Sequence, residues 1–173
     1  MKNKILYCVF CMTLIIFSLS FFHCSGKSEE DLIRESIDQV GDFAEARDMK
    51  GVLRFISIDY SDDEERTIED IEALLGEYFE KYRGIAVNIL GTKILTVTVP
   101  EADVETEIAL SSGAAKIFRK AVRYSGRFYR FKLKMVKEKE TWRVKTASWE
   151  SITLEDLFPE SFKILKELFP NAI

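Results

Sequence analysis

Residues 85–110 read IAVNILGTKILTVTVPEADVETEIAL, and this stretch decides the fold. Its apolar residues return at every second position, which is typical of strands with one buried face. Pro100-Glu101 interrupts the pattern and predicts a turn between two strands. The inward positions are predicted to be Ile85, Val87, Ile89, Leu95, Val97 and Val99 before the turn, and Val104, Thr106, Ile108 and Leu110 after it.

Two further alternating segments follow downstream. Apolar residues alternate with Arg130, Lys132 and Lys134 in the first segment, and with Arg143 and Lys145 in the second, after a charged turn. Together the segments predict a four-stranded antiparallel meander. The pattern predicts burial of Val104, Ile108, Phe131, Leu133 and Val144, and it places Asp103, Glu105, Arg130, Lys132 and Lys145 on the opposite face.

Helical signals precede the strands. Ser28 begins a capping box, and apolar residues recur at helical spacing to about residue 47. Asp48 can cap a second, shorter helix. Thr67 begins a third helix, which Arg83-Gly84 ends. Three helices followed by a meander predict an α+β fold with the helices on one face of the sheet.

The order of these elements resembles the nuclear transport factor 2-like superfamily, and in particular its extracytoplasmic lipoprotein members. The resemblance spans residues 29–150 and includes the segment FISIDYSD at 55–62 and the ending from Trp142 to Trp149. It implies three N-terminal helices packed on a strongly bent antiparallel sheet, a cone-shaped, cystatin-like roll with an apolar pocket. Members include isomerases, dehydratases, cyclases and binding proteins, so the fold fixes no chemistry.

The first 23 residues have the build of a bacterial export signal. Lys2 and Lys4 precede an apolar run over residues 5–22 that holds no charge and no proline. Cys24 closes this leader, so it is the predicted lipidation site. Two alternatives stay open, an uncleaved anchor and ordinary cleavage with release, because His23 departs from the small residue usual before such a cysteine. Each of the three outcomes places the domain outside the cytoplasm.

These signals give a domain organisation and a location. Residues 1–23 are predicted to be a signal peptide, 24–28 a tether, 29–152 the folded domain and 153–173 a C-terminal helical tail. A lipid anchor on Cys24 would hold the protein in the cell envelope, facing the periplasm, on the outer rather than the inner membrane.

The composition excludes several kinds of site. His23 is the only histidine, and the cysteines are Cys8, Cys11 and Cys24. The exported domain therefore has no internal disulfide, no catalytic thiol and no histidine-ligated metal. The acidic run over residues 62–65 lacks the spaced ligands and the glycine of a calcium loop, so it is interpreted as a solvated turn. We expect no metal and no cofactor.

Acidic residues dominate up to residue 110, and basic residues dominate from 111 to 145. The basic residues could form a patch for an anionic partner such as lipid headgroups or a polyanion; nucleic acid is not expected. The favoured interpretation pairs the acidic and basic strands across the sheet. The basic residues are Lys116, Arg119, Lys120, Arg123, Arg127, Arg130, Lys132 and Lys134.

Asp59 and Tyr60 are the best catalytic candidates, as a proton acceptor and a hydrogen-bond donor on the rim of a cavity. The alternative is that Asp59 caps a turn and Tyr60 packs between helices. Candidate pocket residues are Tyr60, Tyr78, Tyr82, Thr106, Tyr129, Phe131 and Trp142. A non-enzymatic module that binds a small apolar ligand or a protein segment is favoured over an isomerase or hydratase that uses Asp59 and Tyr60.

The tail concentrates large apolar residues at Phe158, Phe162, Leu165, Leu168 and Phe169. Such a segment must bury its apolar face. We expect it to dock across the outer face of the sheet or over the open end of the cone. Binding to the membrane or to a second copy, as in a homodimer, is the alternative.

Overall fold

The computed structural model describes residues 26–82, 84–112 and 126–168, without the side chains of residues 162, 164–166 and 168. Several predictions lie outside these residues: lipidation of Cys24, the loop cations Lys116, Arg119, Lys120 and Arg123, and the apolar tail side chains Phe162, Leu165, Leu168 and Phe169. The elements are helices α1 (Glu29–Ala46), α2 (Met49–Leu53) and α3 (Ile68–Lys81), strands β1 (Ile85–Thr98), β2 (Glu101–Ser112), β3 (Arg127–Glu138) and β4 (Thr141–Ile152), and helices α4 (Leu154–Leu157) and α5 (Pro159–Leu168).

The helices begin where the sequence places capping residues. The Ser28 hydroxyl accepts a hydrogen bond from the backbone N–H of Asp31, and the Asp31 carboxylate accepts one from the backbone N–H of Ser28. Thr67 and Asp70 form the same box before α3, and Asp48 caps α2. These side chains satisfy backbone amides that have no partner inside a helix.

The four strands form one antiparallel sheet in the order β1-β2-β3-β4, which confirms the predicted meander. Helix α1 crosses its concave face, and Ile33 and Ile37 pack there on Val104, Leu133 and other strand residues. The predicted α+β arrangement of three helices followed by a curled sheet is therefore correct. The largest fully buried side chains are Trp142, Ile33, Met135 and Val104.

Strand parity is predicted correctly in part. Val104, Leu133 and Val144 are buried, whereas Ile108 and Phe131 are only partly buried. The prediction for β1 is wrong at Leu95 and Val99, which are 51% and 55% exposed. The register with β2 shifts between Ile89 and Gly91 and again between Ile94 and Thr96. One extra residue at a bulge moves the following side chains to the other face, so the first shift turns Ile94 toward the core and the second returns Val97 to it. Val99 lies beyond the end of β1.

The outer face of the sheet carries the predicted cross-strand charges. Glu107 lies directly opposite Arg130, Glu105 opposite Lys132 and Asp103 opposite Lys134. The Arg130 guanidinium lies 2.7 Å from Glu107, 3.7 Å from Glu105 and 3.6 Å from Glu150. The predicted side-by-side placement of the two ladders is therefore confirmed, with ion pairs formed at Arg130. Ion pairs on the sheet surface contribute more to the register between strands than to the free energy of unfolding.

A second apolar cluster lies on the outer face. Ala109, Phe128 and Ile152 are buried there, and Leu154 and Leu157 of α4 pack against them. These strand residues lie two positions from Glu107, Arg130 and Glu150, so they share the outer face with those charges. The first turn of the tail thus docks across the outer face, one of the two docking modes expected. Phe158, directly after it, is 39% exposed.

The start of α1 is tied to the hairpin of β3 and β4. One Glu29 carboxylate oxygen accepts from Lys137 Nζ at 2.6 Å, and the other accepts from Trp142 Nε1 at 2.8 Å. The hydrogen bond from Lys137, and next that from Trp142, lowers the pKa of Glu29 below its ordinary value. Because Trp142 is fully buried, this contact holds the polar atom of the largest core side chain.

Replacing Glu29 by Gln should lower the urea midpoint of unfolding at neutral pH, because the charge-assisted contacts weaken. Glu30→Gln is the matched control, since Glu30 is an exposed acidic residue in the same helical turn. When folding lowers the pKa of a carboxylate, that group stabilises the folded state at pH values above its unfolded-state pKa. This stabilisation is lost as the pH falls through the folded-state pKa. The difference between wild type and Glu29→Gln should therefore shrink below about pH 4. Equal midpoints for the two variants at neutral pH would contradict the assignment.

Candidate functional site

The connection between α2 and α3 is fixed to the edge of β4. Ile56 pairs with Val144 in a parallel bridge. The N–H of Ser57 donates to the Val144 carbonyl at 2.9 Å, and the Val144 N–H donates to the Phe55 carbonyl at 2.7 Å. A third bond runs from the Ser61 N–H to the Lys145 carbonyl at 3.1 Å. This pairing sets the position of the polar residues that follow.

Tyr60 lies in the core with its hydroxyl directed at a carboxylate. Its side chain packs in the main apolar cluster, and it is 5% exposed. The hydroxyl donates to Asp62 Oδ2 at 3.3 Å. Burial raises the pKa of Tyr60, and the neighbouring Asp62 charge raises it further. Tyr60 is therefore a protonated hydrogen-bond donor at physiological pH.

Asp62 is the organised carboxylate of this region. Its side chain is 1% exposed, and it accepts from the backbone N–H groups of Glu64 and Arg66 at 2.9 and 3.1 Å. Arg66 Nε donates to it at 2.7 Å. Burial by itself would raise the pKa of Asp62, but the hydrogen bonds from Arg66 and Glu64 hold it below the ordinary value. The interpretation of residues 62–65 as a solvated turn is wrong for Asp62, because these bonds replace water.

Arg66 joins this ion pair to the sheet. Its guanidinium carbon lies 4.5 Å from the centre of the Trp149 ring, a cation–π distance. Trp149 stacks on Phe131 at 5.8 Å between ring centres, and Phe131 lies 6.4 Å from Tyr129. We call Tyr129, Phe131 and Trp149 the aromatic row. It lies on the concave face, because Phe131 packs against the main core.

The aromatic row is more open than the core beside it. Trp149 is 38% exposed, and Tyr129 and Phe131 are partly buried. Thr106 lies opposite Phe131 and is 4% exposed. Its hydroxyl is within 3.1 Å of both the Gly91 carbonyl and Thr92 Oγ1, so it already has partners. The concave face thus ends in an aromatic surface with satisfied polar neighbours.

The structure separates the other predicted site residues. Asp59 is exposed, and its backbone N–H donates to Ser57 Oγ at 3.2 Å, whereas the partner of the Tyr60 hydroxyl is Asp62. Trp142 is fully buried in the core, seven positions along β4 from Trp149. Tyr78 is 51% exposed and stacks on Tyr82 at 5.8 Å, on α3 and its C-terminal cap. Tyr60, Thr106, Tyr129 and Phe131 are the candidates that share one region of the concave side.

Asp62, Arg66 and Trp149 are the site residues that sequence reasoning missed as a group. The spacing of four between Asp62 and Arg66 was a usable signal for an ion pair. Trp149 has the opposite parity to Trp142, and a register shift in β4 opposite Lys134 and Met135 brings both to the concave face. Nothing in the local sequence signals that shift.

The described residues hold neither a cluster of metal-ligating side chains nor a membrane-spanning helix. Across residues 26–82, 84–112 and 126–168, no group of three or more acidic, cysteine or histidine side chains could hold a metal ion. Within the same ranges, no helix is long and apolar enough to cross a membrane.

Solved structures share this architecture. A candidate scytalone dehydratase from Novosphingobium aromaticivorans has a TM-score of 0.60 at 13% identity, covering 72% of this chain and 85% of its own. An NTF2-like protein from Cytophaga hutchinsonii has a TM-score of 0.55 at 13% identity, covering 73% of this chain and 100% of its own. The chain therefore has the cystatin-like fold of nuclear transport factor 2-like proteins.

Bd1075 from Bdellovibrio bacteriovorus is similar over a smaller part of its length. Its TM-score is 0.58 at 12% identity, with 70% of this chain covered. The chain spans only 40% of Bd1075. No protein-family model and no curated protein matches the chain. At these identities the likeness shows the fold alone.

Replacing Asp62 by Asn should cost roughly 1–3 kcal/mol of unfolding free energy, because a charged hydrogen-bonding partner of Arg66 and Tyr60 is lost. Asp63→Asn is the matched control and should stay within about 0.5 kcal/mol, since Asp63 is exposed. Urea unfolding followed by far-UV circular dichroism measures both. Similar losses at the two positions would contradict the assigned role of Asp62.

Proposed function

We propose that this protein is a binding module that holds a small, flat, apolar ligand against the aromatic row. The observation that carries the proposal is the 38% exposure of Trp149 at the end of a concave face that is otherwise packed. Ligand sites in proteins are concave surfaces lined by apolar and aromatic side chains with a few placed polar groups. The concave side of this fold supplies such a surface.

The geometry of the row favours a planar ligand. The Phe131 and Trp149 rings are stacked with an angle of 29° between their planes. Aromatic groups that extend such a stack gain about 0.5–1.5 kcal/mol beyond the burial of their area. A planar ligand would contact the part of Trp149 that Phe131 and the overlying Arg66 leave exposed.

The electrostatics of the row favour a neutral ligand. The Arg66 guanidinium lies over Trp149, but it is 2.7 Å from Asp62 and 3.2 Å from Glu64. Two carboxylates therefore balance its charge before any ligand arrives. An anionic ligand would have to compete with Asp62, which is almost fully buried. A neutral apolar ligand meets no such competition.

An enzyme of the isomerase or hydratase type is the second candidate. The observation in its favour is the buried phenol and carboxylate of Tyr60 and Asp62, beside the aromatic row, together with the fold shared with a candidate dehydratase. Tyr60 could donate a hydrogen bond to a substrate oxygen. The proposed proton acceptor, Asp59, is exposed, so this mechanism needs a movement of the 57–62 segment.

We further propose that Cys24 carries a lipid that anchors the module in the cell envelope, facing the periplasm. The leader with Lys2, Lys4 and the apolar run over 5–22 supports this assignment. The lipid would hold the binding module at the outer membrane. A protein segment is the other class of partner that an apolar concave surface accepts.

Ligand binding is tested with the neutral fluorescent probe N-phenyl-1-naphthylamine. Replacing Trp149 by Ala should weaken probe binding about tenfold, and Trp149→Phe should retain most of it, because stacking survives. Ile58→Ala is the control, since Ile58 is 77% exposed and outside the row. Fluorescence titration gives the Kd of each variant. Equal affinities for wild type and Trp149→Ala, or no binding by wild type, would refute the proposed site.

The anchor is tested by mass spectrometry of the mature N-terminus. Cys24→Ser should abolish acylation and either release the domain from the membrane fraction or leave an unprocessed precursor. Cys11→Ser changes a leader cysteine and should leave acylation of Cys24 intact. Recovery of a wild-type mature N-terminus other than acylated Cys24 would contradict the assignment.

A further inference from the structure

The anchor position fixes which end of the domain faces the membrane. Only Ser25 separates Cys24 from Gly26, and consecutive Cα atoms are about 3.8 Å apart, so the Cα of Cys24 lies within about 8 Å of that of Gly26. Gly26 is exposed and precedes the start of α1 by three residues. A lipid on Cys24 therefore keeps the start of α1 close to the bilayer surface.

Two hairpin turns lie at the same end as the start of α1. Glu29 contacts Lys137 and Trp142 at the turn between β3 and β4. The N–H of Lys137 donates to the carbonyl of Pro100, in the turn between β1 and β2, at 2.7 Å. We call this part of the molecule, from Gly26 to both turns, the anchored end. Val99 beside Pro100 is 55% exposed there.

The aromatic row lies toward the other end of the same strands. Trp149 is seven positions beyond Trp142 in β4, and Tyr129 is eight positions before Lys137 in β3. Phe131, which pairs with Trp149, is six positions before Lys137, and a strand rises about 3.3 Å per residue, so the row lies about 20–26 Å along the strands from the anchored end.

The anchored end carries charges of both signs, with three acidic residues in the first turn of α1. Lys27 is paired with Glu35 at 2.7 Å, and Lys137 with Glu29. Lys139 is exposed, and the side chain of its neighbour Glu140 is 94% exposed. Opposite charges of this kind cancel at the distance of a Debye length. Attraction to anionic lipid headgroups therefore contributes little, and the contact depends on the lipid anchor and on Val99.

We propose that the anchored end rests on the bilayer with Val99 among the headgroups, and that the aromatic row faces away from the membrane. The ligand then reaches the row from the aqueous phase and not by lateral entry from the lipid. This orientation rests on the proposed lipidation of Cys24, and it deepens the proposed binding function by stating where the ligand comes from.

The test places a fluorescent label at each end of the acylated full-length protein. Val99→Cys probes the anchored end, and Arg127→Cys probes the opposite end, where β3 begins. Processing removes Cys8 and Cys11 and acylates Cys24, so the new thiol is the only one to react with a nitrobenzoxadiazole label. The protein is reconstituted in phosphatidylcholine vesicles that contain a nitroxide-labelled phospholipid as quencher.

We expect the nitroxide lipid to quench the label at position 99 at least twofold more than the label at position 127. Replacing part of the phosphatidylcholine by phosphatidylglycerol should leave this ratio unchanged. Equal quenching, stronger quenching at position 127, or a preference that appears only with anionic lipid would overturn the orientation.

The outcomes separate this proposal from those on which it rests. An unmodified Cys24 in the purified protein refutes the anchor, and the orientation falls with it. Acylated protein with both labels unquenched refutes the orientation alone. Equal probe affinities of wild type and Trp149→Ala refute the ligand site, while the quenching ratio still decides the orientation.

Discussion

The backbone of Val144 holds the helical layer and the sheet together at the site. Its N–H and carbonyl make hydrogen bonds of 2.7 and 2.9 Å with Phe55 and Ser57, which lie between α2 and α3. The pairing covers part of an edge strand that would otherwise expose unpaired backbone groups. It also fixes the start of the segment that carries Tyr60, Asp62 and Arg66. The polar groups above Trp149 depend on this contact, because nothing in their own sequence directs them to the sheet.

The periodicity of the sequence is sufficient to predict the fold. It is not sufficient to predict, for every strand residue, whether the side chain faces the core or the solvent. Capping boxes and a change of period from helix to strand identify the helices and the meander, since both signals are local. The error at Leu95 follows from the register shift between Ile89 and Gly91, whereas Val99 lies beyond the end of β1. A bulge depends on the pairing of two strands and on sheet curvature, so alternation in one strand cannot reveal it.

The candidate site was less predictable than the fold, and Asp62 shows why. The sequence offers four successive acidic residues, which local reasoning treats alike. The structure distinguishes Asp62 because Glu65 takes a left-handed conformation, with φ of 58°. The chain then turns back, and the Arg66 side chain donates a hydrogen bond to Asp62. Non-glycine residues seldom adopt that conformation, so sequence propensity argues against it. Asp62 is the buried member of the four, because Tyr60 also contacts it and its side chain is 1% exposed.

The two ends of the concave face differ in how completely their side chains are buried and hydrogen-bonded. At one end Trp142 is fully buried and its only polar atom is bonded to Glu29. At the other end Trp149 has an aromatic neighbour on one side and a paired Arg66 above it, and it keeps part of its surface in water. Regions with fewer buried contacts open locally at lower free energy, and binding surfaces are drawn from them. The domain therefore combines a rigid end with an adaptable one, and the aromatic row lies where side chains can adjust without loosening the core.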